Sequence, residues 1–153
     1  MLLHYFYKKE NKEKNYVKDI YSKNLRLSVR FIKTNKYILK EDFQTSFEIF
    51  SLFLIFHLKN FKDFKMKNHK IINQELINLF VNDLDYSFRK IGIGDIKIGK
   101  YVKTYIKKFY FRLSAMDEIL NTKDLNKIVN FISKLNIIKS DKITKASKEM
   151  LTI

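Results

Sequence analysis

Apolar residues recur along much of this chain at alternating steps of three and four, the period of a helix with one buried face. Val17, Ile20, Asn24, Leu27 and Phe31 follow that step, with mostly polar or basic residues between them. A break follows near Thr34-Asn35, and Glu41 or Asp42 supplies a start for the next helix. From about Asp42 to Phe61 the apolar residues crowd every side: Phe43, Phe47, Ile49, Phe50, Leu52 to Phe56 and Leu58. A helix that is apolar all round is enclosed by others, so this segment is expected to be the central helix.

Lys59 to Lys70 reads as a basic connector with the turn residues Asn60, Asp63 and Asn68. Asn73 stands where an N-cap is wanted, with Glu75 near the positive helix end, and Ile77, Phe80, Leu84, Phe88 and Ile91 form the stripe that follows. Asp85 and Arg89 are spaced as a helical ion pair, worth only a few tenths of a kcal/mol. Gly92 falls just past the last periodic residue, where a left-handed cap favours glycine. Beyond the loop, Val102, Ile106, Phe109, Leu113, Met116 and Leu120 continue the period, while Lys100, Lys103 and Lys107 share another face of the same helix. A last helix is expected from about Lys123 to Leu135, on Leu125, Ile128, Val129, Ile132 and Leu135.

These elements predict an all-α protein: a single compact domain of about six helices around a hydrophobic central helix, over residues 16–138. Residues 1–15 read as an N-terminal extension, apolar as far as Tyr7 and then, over residues 8–15, a charged spacer too polar to pack. Residues 139–153 read as a polar, frayed tail. The chain has 153 residues, enough for one domain with a real core. It contains no proline and three glycines, which leaves little material for the tight turns of a sheet protein.

Composition narrows the chemistry. Cysteine is absent, which removes disulfides, thiolate nucleophiles and Cys-ligated zinc. The N-terminal residues Met1 to Tyr7 precede their positive charges, the reverse of a secretory signal. The longest apolar stretch, Phe47 to Leu58, is interrupted by Glu48 and His57 and falls short of the roughly 20 residues of a membrane span. A soluble cytoplasmic protein is expected, with peripheral contact at the inner face of the inner membrane open to it. The net charge is +15, and an anionic partner (RNA, ribosome or lipid) competes with AT-rich codon usage as its cause. Only Arg26, Arg30, Arg89 and Arg112 are arginines, whereas bidentate phosphate recognition favours arginine over lysine.

All three glycines lie between positions 92 and 99, so phosphate binding has to be tested. Gly94, Gly99 and Lys100 have P-loop spacing, but Tyr101 occupies the place of the magnesium-binding Ser or Thr and a helix precedes the loop. Lys97 stands where a dinucleotide fingerprint needs its third glycine. His4, His57 and His69 have no ligand spacing, and His57 reads as a core or rim histidine bonded to backbone. Asp83 and Asp85 point to different sides of a helix and form no dyad. No catalytic site, metal, cofactor, haem motif or small-molecule substrate is expected.

The run Gln74 to Asp95, with Asp83-Leu84-Asp85, Arg89 and Gly92-Ile93-Gly94-Asp95, followed by Lys100, Val102, Lys103 and Phe109-Tyr110-Phe111-Arg112, resembles the ubiquinol–cytochrome c chaperone family. Upstream, Asp42-Phe43, Phe47-Glu48 and Ile20-Tyr21 match further blocks of that family, so the likeness spans about Val17 to Leu135. Phe111 departs from a family glycine, Ser46 from an arginine, Phe53 from a histidine and Met116 from a tyrosine. The resemblance implies an all-α assembly factor for the cytochrome bc1 complex. Its implied partners are nascent cytochrome b, a small partner subunit and the ribosome. Asp83, Asp85, Arg89, Gly92, Gly94, Asp95, Lys103 and Arg112 are the candidate partner-binding residues, the charged ones having loop-locking as their alternative role. A rival reading is a basic ribosome- or RNA-binding adaptor with no cytochrome b client.

Overall fold

The computed structural model describes residues 2–34, 36–63, 68–122 and 124–152, with side chains from Lys14 to Asn60 and from Asn68 onward within those ranges. Among the described residues six α-helices follow in order: α1 (Leu2–Thr34), α2 (Phe43–Asp63), α3 (His69–Lys90), α4 (Asp95–Thr122), α5 (Leu125–Lys134) and α6 (Ile143–Leu151), with a short 3-10 turn at Ser140–Lys142. Among the described residues there is no strand. One antiparallel bridge pairs Ile38 with Ile138 through Leu39 N–H to Ile137 O at 3.0 Å and Lys139 N–H to Tyr37 O at 2.8 Å. The side chains of Met1 to Tyr7, including His4, lie outside the described residues.

The all-apolar segment is indeed the central helix. From Phe47 to Phe56 every residue of α2 is buried, and α1, α3 and α4 pack around it. An aromatic column fixes its fit to α3 and α4: Phe47 meets Tyr105 edge-on at 4.8 Å between centroids, and Phe80 lies 5.2 Å from both Phe50 and Phe109. Such edge and offset contacts add to area burial by giving each ring one preferred seat.

The structure departs from the sequence expectations at four places. The charged stretch 8–15 belongs to the backbone of α1, which is continuous from Leu2. Lys and Glu are good helix formers, and nothing there is Gly or Pro. Helix α3 starts one turn early, after Asn68 rather than Asn73, because Ile72 and Leu76 extend the buried stripe. At its other end Ile91 is the C-cap and is 58% exposed, not part of the core stripe. Helix α4 begins at Asp95, so Gly99 lies inside it rather than in the loop, and buried Ile98 anchors that first turn.

The fourth departure is the tail. Residues 139–152 do not fray: α6 buries Ala146, Ser147 and Met150, and Ile137 and Ile138 lead into it buried. A polar stretch hid three inward positions at helical spacing. Helix α5 is capped by the Asp124 side chain, which accepts the Asn126 N–H at 2.9 Å, and Asn136 takes the left-handed position after it.

Candidate functional site

The α3–α4 hairpin gathers five of the eight candidate residues at its turn. Gly92 has φ +90°, and the Gly92 N–H donates to Arg89 O while the Ile93 N–H donates to Phe88 O at 3.1 Å. That pair of bonds is a Schellman cap, which satisfies the last carbonyls of α3 and requires a left-handed residue at Gly92. Gly94 then starts the next helix, its carbonyl accepting the Lys97 and Ile98 N–H groups at 2.8 and 3.2 Å.

Arg89 spans this turn. Its Nε donates to Asp85 at 2.7 Å and its Nη1 to Asp95 in the first turn of α4, so one guanidinium ties the two helices across the loop. The hydrogen bond to Asp85 is the main reason that the Arg89 pKa is raised, with Asp95 adding less. All three side chains are exposed, and exposed pairs contribute little stability. The clamp sets the loop's shape and charge more than it holds the fold.

Asp83 and Arg112 face elsewhere. Asp83 accepts a hydrogen bond from Tyr21 of α1 at 2.9 Å, and burial followed by the Asp83 charge pushes the Tyr21 pKa up. Arg112 forks onto buried Glu48 of α2. Gln44 donates to the same carboxylate at 2.6 Å and accepts from Tyr105 at 3.2 Å and Lys108 at 3.4 Å. Both candidates therefore work between helices. Asp83 and Asp85 diverge, as their two-residue spacing requires.

Lys103 stands over an open groove of about 540 Å³ between α3 and α4, with Val81, Val102 and Ile106 along it and Asp85 at its edge. A second cleft, of about 400 Å³, lies toward the other end of the hairpin and also reaches α2. Ile55, Leu58, Ile77, Leu113 and Leu120 make it mostly apolar, with Lys59, Asn73 and Asp117 supplying polar groups. Lys59 bonds Asp117 at 3.5 Å and also Asn121, tying α2 to the end of α4. Periodicity alone places Ile77, Leu113 and Leu120 in the core, whereas the structure leaves them partly buried. They sit at the edges of their stripes, which is the only signal that could have marked a cleft.

His57 Nδ1 donates to Asn24 Oδ1 at 2.9 Å and lies 3.2 Å from Phe53 O, the backbone partner expected for it. Burial lowers its pKa. Gly94 to Lys100 form a helix start that follows a helix, without the strand that a phosphate loop needs. Among the described residues no group of three or more His, Asp or Glu is placed to hold a metal, and no helix is long and apolar enough to cross a membrane.

An aromatic-cored helical scaffold with a clamped hairpin and open apolar clefts defines a class: a compact all-α protein. The family model for the ubiquinol-cytochrome C chaperone matches residues 35–148, and the chain belongs to that family. The match reaches into α6, consistent with a tail that is part of the fold. The crystal structure of the Cbp3 homolog from Brucella abortus is similar with a TM-score of 0.75 at 22% identity, over 99% of this chain and 84% of that one. At that identity the likeness speaks for the fold. No curated protein matches the chain.

Proposed function

We propose that this protein is a non-enzymatic chaperone of cytochrome bc1 complex assembly that binds newly synthesised cytochrome b. Family membership carries the reading, and the α2–α3–α4 cleft supports it with a surface of suitable chemistry. Newly made segments of a membrane protein expose apolar side chains, and an open apolar cleft rimmed by a few polar groups can shelter them. At the opposite end of the hairpin, the turn clamped by Asp85, Arg89 and Asp95 supplies charge that can engage a further part of the client.

Crosslinking in the native host, followed by purification and identification of the captured proteins, tests the client directly. Cytochrome b is the expected product. The ribosome and the small partner subunit that the family resemblance implies are read out by the same experiment. Deleting the gene should lower assembled bc1 complex while the cytochrome b transcript stays intact. Unchanged complex levels would overturn the reading.

A further inference from the structure

The outer face of α4 carries a pattern that client binding does not explain. Ile96, Lys100, Lys103, Lys107 and Tyr110 succeed one another at steps of four, three, four and three, with Phe111 beside Tyr110. That spacing places them on one side of the helix over roughly 22 Å. It is the side opposite the buried residues Ile98, Phe109 and Met116.

Every member is exposed. Ile96 is 100% accessible at one end and Phe111 71% at the other, and the three lysines between them are exposed as well. No acidic residue occurs in the sequence between Asp95 and Asp117. Asp95 is itself held by Arg89, and Lys100, Lys103 and Lys107 have no ion-pair partner among the described residues. The face is therefore a continuous positive strip whose ends are bare apolar side chains.

We infer that this face docks on an anionic lipid bilayer, with α4 lying along the headgroups and Ile96 and Phe111 entering the boundary below them. A bilayer answers both halves of the pattern, because the surface charge attracts lysines and the acyl boundary takes apolar side chains. A polyanion such as RNA answers the lysines and can stack on Tyr110 and Phe111, but leaves the apolar end at Ile96 without a partner. An aliphatic Ile96 has no ring on which a base could stack, and the arginine nearest the strip, Arg112, is turned inward onto Glu48. The inference does not rest on the cytochrome b reading.

Co-sedimentation of the full chain with vesicles of phosphatidylcholine alone, or mixed with phosphatidylglycerol, tests it without any client. Binding is expected only to the mixed vesicles. Reversing charge in the triple variant Lys100→Glu, Lys103→Glu, Lys107→Glu should weaken binding about a hundredfold. The double variant Ile96→Ser, Phe111→Ser keeps the charge and should weaken it roughly tenfold. All these side chains are exposed, so unchanged helicity by circular dichroism separates lost docking from lost fold. Equal binding to both vesicle types overturns the inference. So does wild-type binding by the serine double variant, or RNA binding that depends on the lysines while vesicles are ignored.

Discussion

Arg112 of α4 grips both carboxylate oxygens of Glu48 on α2, and Glu48 is sealed at 1% exposure. The pair joins the central helix to the longest face of the hairpin, and Gln44, Tyr105 and Lys108 complete the set of polar groups around it. Taking one partner away leaves the other charge buried and uncompensated, which is far costlier than removing both. Arg112→Met is expected to lower stability by about 3 kcal/mol in urea denaturation. The double variant Glu48→Leu, Arg112→Met should recover most of that loss; if it is no better than Arg112→Met, the burial argument is wrong.

Gly92 and Gly99 should separate cleanly when each is replaced by alanine. Neither has a neighbour within 4 Å of an added Cβ, so only the backbone decides. Gly92, at φ +90°, should cost about 1–2 kcal/mol on replacement, the penalty of a left-handed L-residue. Gly99, inside α4, should gain about 0.5–1 kcal/mol. Thermal melts of the two variants should therefore move in opposite directions.

His57 gives the fold a defined acid sensitivity. Burial lowers its folded pKa, so the unfolded chain takes up the proton first as pH falls. Stability is fully present while both states are neutral and is lost as pH drops below about 6.5 toward the folded value. Asp42, whose pKa is lowered mainly by the Thr45 N–H, acts in a separate window near the ordinary carboxylate range. The melting temperature should fall between pH 7 and pH 5, and His57→Gln, which keeps a donor for Asn24, should flatten that slope.

The final helix is structural. Met150 is 1% exposed within the core cluster, so Met150→Ala should cost about 2–4 kcal/mol in urea denaturation. Lys148→Ala, on the exposed side of the same helix, should change stability by less than about 0.5 kcal/mol. Equal effects would mean that α6 contributes nothing to the core.

Helix content, the central place of α2 and the left-handed cap at Gly92 were all legible in the chain, because each depends on spacing along one element. Hydrophobic period, a helix apolar on every side and a glycine after the last periodic residue are local signals, and they need no knowledge of what lies opposite. The order of residues from Asp83 to Asp95 likewise carried the family likeness, since a family motif is itself a linear pattern. The start of α3 and the packing of the tail are not local signals in this sense. Ala146 and Met150 are buried by partners from elsewhere in the chain and stand among polar and basic residues, while Ile72 lies ahead of an Asn73 that reads as a cap.

Only the tertiary structure divided the candidate residues among their roles. Asp83 and Asp85 sit two positions apart, yet one bonds Tyr21 on α1 and the other Arg89 at the hairpin. Nothing in the spacing of Arg112 reveals that Glu48, far away in sequence, waits on α2. The cleft between α2, α3 and α4 was also invisible, because a half-exposed apolar residue and a buried one look alike in a periodic stripe. Sequence determines which face of a helix turns inward. What that face meets, and where the fit is left open, follows from three helices closing at once.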